Sequence, residues 1–224
     1  MRGIDIIITV TNWQGYIMSL CCLLCFLYFS KLSAAQKILS YYLFFLLIMN
    51  TSMRLLSLER INNMAITHMI SLGEFIFLSL FFRELLKGKF FLGKYFRFYL
   101  AIGGGLIIAN TLFIEPLHTF NTNGKVLVLF IILFFATAFF YDRSQQLMEV
   151  DLHEKTTRLI NSALLLYYSG SFFVYLFYKF TQRDEVFYSV EMMVFNAILY
   201  LIFTLLILMA ILQVTLQGQK TVEG

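Results

Sequence analysis

Charge is scarce in this chain. Asp, Glu, Lys and Arg make up 13% of its 224 residues, about half the share that a soluble domain uses to clothe its surface. Hydrophobic residues reach 60%, aromatic residues 18%, and the mean hydropathy is +0.79. A soluble fold is excluded on these figures. There is one proline and no Ser/Gly-rich linker, so a second domain is not expected. The net charge of +4 is modest and reports orientation and lipid contact rather than nucleic-acid binding.

Other absences exclude chemistries. The three cysteines, Cys21, Cys22 and Cys25, all fall in the first apolar stretch, which rules out a framework of separated disulfides. Cys22 and Cys25 have CxxC spacing, but no His or further Cys lies near them, so all three read as buried thiols. His68, His118 and His153 are scattered, and no HExxH pairs them, so no metal site is expected. There is no GxSxG nucleophile elbow. The seventh apolar stretch contains no lysine of the kind that holds retinal in microbial-type rhodopsins. Gly103-Gly104-Gly105 lacks the lysine of a phosphate loop and reads as close packing or a kink. No catalytic residue and no cofactor is implied. The start Met1-Arg2-Gly3-Ile4-Asp5, followed by Thr11-Asn12-Trp13-Gln14, does not resemble a cleavable signal peptide.

What is present is apolar length. Seven segments approach the 20 or so residues needed to cross a bilayer. They run about from Trp13 to Ser30, Ile38 to Leu56, Met64 to Phe82, Phe98 to Ile114, Val126 to Tyr141, Leu159 to Phe180 and Tyr188 to Gln213. Their continuous apolar character favours helices over barrel strands. The chain thus reads as an all-α integral membrane protein, one bundle of seven transmembrane helices.

The positive-inside rule sets the expected orientation. An outside N-terminus and cytoplasmic C-terminus put eleven bases inside and six outside, Lys125 among the six. The third-to-fourth connection, Arg83 to Arg97, alternates bases with Phe, Leu and Tyr, as expected of a segment lying on anionic lipid headgroups. The fifth-to-sixth connection, Asp142 to Arg158, reads as a solvated loop or helix extension. The tail Leu216 to Gly224 is too short to signal alone.

Polar residues inside spans are expensive and commonly functional. Glu74 is the clearest, midway along the third segment. Hydrocarbon penalises a carboxylate, so this position calls for a proton, a cation or several donors. Ser71 lies between His68 and Glu74 at i, i+3 steps, and the three trace a slanted polar ribbon. With direction assigned, Asn50, Thr51 and Arg54 of the second span, Asn110 and Thr111 of the fourth, and Glu191 and Asn196 of the seventh share the outer half with His68. Tyr168, or its neighbour Tyr167, is placed to donate to Glu74. The inner halves are mostly Leu, Ile and Phe. If these helices face one another, the layer is a ligand pocket open outward and closed below.

Two runs carry a family resemblance: His68-Met69-Ile70-Ser71-Leu72-Gly73-Glu74-Phe75 and Ile160-Asn161-Ser162-Ala163-Leu164-Leu165-Leu166-Tyr167-Tyr168-Ser169-Gly170. With them the chain resembles small uncharacterised seven-span inner-membrane proteins common in Bacteroidetes-type bacteria. The resemblance implies a bacterial inner membrane and association with two-component signalling, and it transfers no catalytic role. One departure is that Glu154-Lys155-Thr156-Thr157-Arg158 stands where an aromatic-rich approach to the sixth span is expected. The expected function is a non-enzymatic sensor or receptor-like module working through a signalling or complex partner. The alternatives are a small transporter or channel in which Glu74 titrates, and a scaffold subunit of a membrane complex.

Overall fold

A computed structural model describes residues 2–87, 89, 93–144, 152–181 and 186–220. Among these residues all regular structure is helical: α1 (Arg2–Leu27), α2 (Ala34–Leu58), α3 (Met64–Leu85), α4 (Phe96–Ala109), α5 (Thr122–Ser144), α6 (Leu152–Thr181) and α7 (Val186–Lys220). A turn of π-helix, Asn110–Ile114, continues α4. All seven helices, α4 with that turn included, are long and apolar enough to cross a membrane. The protein has the build of a multi-pass membrane protein, in which helices satisfy their own backbone polar groups.

The helices overrun the expected spans, and local hydrogen bonding explains the largest difference. Helix α1 continues unbroken through Thr11-Asn12-Trp13-Gln14. The hydroxyl of Thr9 donates to the Asp5 carbonyl (2.9 Å), that of Thr11 donates to Ile7, and the Gln14 amide reaches the Ala197 carbonyl on α7. Thr9, Thr11 and Gln14 thus find partners without interrupting the helix.

The ends are specified in sequence. Ser33 caps α2: its hydroxyl accepts from the Gln36 N–H (3.3 Å), and the Gln36 carbonyl oxygen Oε1 accepts from the Ser33 N–H (2.9 Å). At the other end of α2, Arg60 takes a left-handed φ of 56° while the Ile61 N–H closes back on the Leu56 carbonyl at 2.9 Å. Such a helix stop ordinarily takes glycine.

Packing does not follow chain order. Helix α1 lies against α2 and α7, α2 against α3, α3 against α5, α5 against α6, and α6 against α7. Six helices therefore close a ring, and α4 stands outside it, held mainly by α3. Short connections make successive helices antiparallel. One face, here the N-face, carries the starts of α1, α3, α5 and α7. The opposite C-face carries the α1–α2 and α3–α4 connections.

Toward the C-face the bundle is filled mostly by apolar side chains, with Gln36, Thr156 and Asn161 buried among them. Phe75, Leu78, Phe82, Phe135, Phe139 and Ile207 have no exposed surface. Phe82 stacks on Phe135 with centroids 5.8 Å apart, and Tyr99 meets the Phe135 ring edge-on at 5.9 Å. Cys21, Cys22 and Cys25 are buried free thiols in this core.

Glycines decide how closely helices approach. A methyl group at Gly103 would overlap the Phe75 ring, which is fully buried. At Gly105 nothing lies within 4 Å. Gly103→Ala should therefore cost about 1–3 kcal/mol by overpacking, while Gly105→Ala should be neutral or stabilising. Thermal unfolding of the two purified variants checks the contrast, and equal midpoints would contradict it.

At the C-face the charged residues meet each other. Lys89 pairs with Asp142, and Glu154 accepts from Arg158 at 3.0 Å and faces Arg143 at 3.5 Å. The Arg83 guanidinium lies 4.6 Å from the centre of the Phe96 ring. Of the expected lipid-facing run, residues 88 and 90–92 lie outside the described residues, as do 145–151 of the fifth-to-sixth connection. The described flanks of that connection are helical, extending α5 and α6.

Candidate functional site: a buried charge pair inside the helix ring

Glu74 lies ten residues into α3, about 15 Å along its axis at 1.5 Å per residue. It is 2% exposed, and its Oε2 pairs with the ammonium of Lys125, itself 6% exposed. The sequence placed Lys125 among the outside bases. Instead its side chain turns inward, which removes it from any count of loop charges. The reason is electrostatic: a carboxylate in hydrocarbon attracts the nearest cation far more strongly than it would in water.

Two tyrosines complete the arrangement. The Tyr42 hydroxyl donates to Glu74 Oε1 at 3.2 Å and lies 3.0 Å from the Tyr168 hydroxyl. Because Tyr42 gives its proton to the carboxylate, Tyr168 is the donor to Tyr42. The Lys125 ammonium also sits 5.9 Å from the centre of the Tyr175 ring, a cation–π distance. Four ring helices, α2, α3, α5 and α6, thus each supply one member of a quartet: Tyr42, Glu74, Lys125 and Tyr168. Tyr168, expected from the sequence to donate to Glu74, bonds Tyr42 instead, and Tyr42 is the tyrosine that reaches the carboxylate.

Above this quartet, toward the N-face, the chain fills the polar layer with its own α4–α5 connection. A lysine one turn into α5 can reach Glu74 only if α5 begins well below the start of α3. The connection therefore dips into the bundle, and Asn121 and Thr122 are buried. His68 holds it from α3: Nε2 lies 3.1 Å from the Thr119 carbonyl and Nδ1 lies 2.9 Å from the Thr111 hydroxyl. A carbonyl only accepts, so Nε2 carries a proton. The Asn110 amide donates to Glu115 Oε2 (3.0 Å) and to Asn121 Oδ1 (3.3 Å), and Glu115 accepts from the Asn123 N–H at the start of α5. Phe120 stacks on Tyr175 of α6, 5.7 Å between centroids.

The other expected site residues divide. Ser71 is buried but donates to the Thr67 carbonyl of its own helix (3.1 Å). Asn50 donates to the Tyr200 hydroxyl (3.3 Å), and Asn196 accepts from Ser171 (2.7 Å), so both pin α7 to neighbouring helices. Arg54 and Glu191 are exposed and do not join the layer. Both lie within about two turns of helix ends, where a charge reaches polar surroundings instead of the bundle interior.

Lys125, Tyr42 and the α4–α5 connection are the parts of this candidate site that sequence reasoning missed. One signal for Lys125 was available: neither it nor Glu74 has an opposite charge nearby in the chain. No known protein family, curated protein or solved structure matches the chain, so a reading of this centre rests on its own geometry.

Proposed function

We propose that the protein is a non-enzymatic, receptor-like module of a bacterial inner membrane, with its N-terminus outside and its C-terminus in the cytoplasm. The observation that carries this reading is the Glu74–Lys125 pair with its two tyrosines. It ties four helices together through one electrostatic contact, so anything that separates the pair changes how those helices sit. A small molecule, a proton or a lipid headgroup acting from outside would meet the α4–α5 connection first. Displacing it exposes the pair, and the ring responds as a two-state element.

The change then passes to a partner chain at the cytoplasmic side. The charged stretch Asp142 to Arg158 serves that contact, while the bases from Arg83 to Arg97 hold anionic lipid. Transport fits less well, because the C-face half of the bundle is packed largely with Phe82, Phe135 and Phe139.

Proteoliposomes provide the test. Wild-type protein should give no uptake of amino acids, sugars or monovalent cations above that of empty vesicles, and Glu74→Gln should leave that baseline unchanged. Uptake by wild type that Glu74→Gln abolishes would make the protein a transporter instead. Constitutive co-purification with one stoichiometric partner, unaltered by Glu74→Gln, would make it a scaffold.

A further inference from the structure

At the N-face, away from the buried pair, the α2–α3 turn and the α4–α5 connection border an open surface recess of about 450 Å³. Ser57, Arg60, Asn62, Asn63 and His118 line it with Ile61 and Met64. Its walls are fixed by Asn62, whose amide donates to the His118 carbonyl (3.2 Å) and whose Oδ1 accepts from the Met64 N–H (2.8 Å). That second bond sets the start of α3 at the recess. The Asn63 side chain makes no cap bond to α3 and donates to the Met53 carbonyl instead.

Among the described residues, the Arg60 guanidinium and the His118 ring have no partner. Glu59, the acid next to Arg60 in sequence, neither pairs with it nor lines the recess. Arg60 also occupies a backbone position that suits glycine, at a φ of 56°. A side chain kept where the backbone disfavours one is a pointer to use of that side chain.

We propose that this recess binds a phosphate-bearing anion. The guanidinium offers a planar fork of donors matched to phosphate oxygens. The His118 ring supplies an N–H in either tautomer, and the Ser57 hydroxyl supplies a donor. The N-terminus of α3 adds the positive end of a helix dipole. The anion has two possible sources, a free phosphate or a phospholipid headgroup, and the location at the end of two membrane-length helices admits both. Occupancy here does not require the buried pair to open, so the receptor reading and this site stand or fall separately.

The test uses full-length protein and the variant Arg60→Gly, which removes the guanidinium while relieving the backbone. Binding is measured by titrating inorganic phosphate into protein held in phosphatidylcholine nanodiscs. In parallel, native mass spectrometry follows the uptake of phosphatidylglycerol against phosphatidylcholine by detergent-solubilised protein. Wild type should bind one of the two probes, and Arg60→Gly should weaken that binding at least tenfold with the thermal midpoint unchanged or raised. His118→Ala should weaken it less. Inorganic phosphate bound without lipid preference identifies the free anion; phosphatidylglycerol retained without phosphate binding identifies the headgroup. Wild type binding neither, or Arg60→Gly binding as tightly as wild type, overturns the assignment.

Discussion

Lys125→Ala should lower the unfolding free energy by about 3–5 kcal/mol, because it strands a carboxylate in the middle of the bundle without its counter-charge. The loss comes from what remains, not only from what is removed. Glu74 would keep a single donor in Tyr42, which is too little to replace the solvation lost on burial. Replacing both partners, Lys125→Met with Glu74→Gln, should recover most of that loss, since a neutral amide can still accept from Tyr42. Denaturant unfolding of Lys125→Met, Glu74→Gln and the double variant in detergent gives the coupling directly. A double variant as unstable as the sum of the two singles would mean that Glu74 and Lys125 do not act as a unit.

The second large effect belongs to the apolar half of the ring. Phe135→Ala should cost about 3–5 kcal/mol, the usual range for deleting a fully buried aromatic ring. Its ring has no exposed surface and is gripped by Phe82 and Tyr99, so neighbouring side chains have little room to collapse into the space. Phe135→Leu keeps most of the apolar volume and should lose clearly less. Thermal unfolding ranks the two. A Phe135→Ala loss below about 1 kcal/mol would place this position among surface-like sites and would deny the packed floor on which the case against transport depends.

The two halves of the protein were unequally legible in the sequence. The spans follow from composition and length alone, because hydrocarbon demands an apolar run of fixed length wherever a helix crosses it. Glu74 stood out for the same reason, being a charge where charges are costly. Its partner did not. Lys125 sits beside Val126 at the edge of an apolar run, where a lysine ordinarily reaches outward to polar surroundings. Whether it turns in or out depends on which helix lies beside α5.

That neighbour is α3 rather than α4, and no local pattern encodes such a pairing. The filling of the polar layer was hidden for a related reason. Glu115-Pro116-Leu117-His118-Thr119-Phe120-Asn121 has the composition of an exposed turn, yet Asn121 is buried. The depth at which α5 begins sets the depth of this segment, and the Lys125–Glu74 contact fixes that depth in turn. Tyr42 was one aromatic among many until Glu74 gave it a role.

The displacement of α4 from the ring has a consequence for how the protein is made. A chain synthesised from its N-terminus delivers α4 to the bilayer before α5 exists, when the side of α3 that α5 will occupy is still free. An α4 that settled there would block the ring. Its own surface discourages this: Phe98, Ile102, Leu106, Leu112 and Phe113 are all exposed in the finished bundle and suit lipid on most sides. The fit of Gly103 against Phe75 gives it one preferred seat on the outer side of α3. Until Glu115 and Asn121 follow, the Asn110 amide lacks both acceptors that it has in the finished structure. The last step of assembly at this corner is thus the arrival of α5, which neutralises Glu74 and draws the α4–α5 connection down over it, while the ring itself closes only when α7 meets α1.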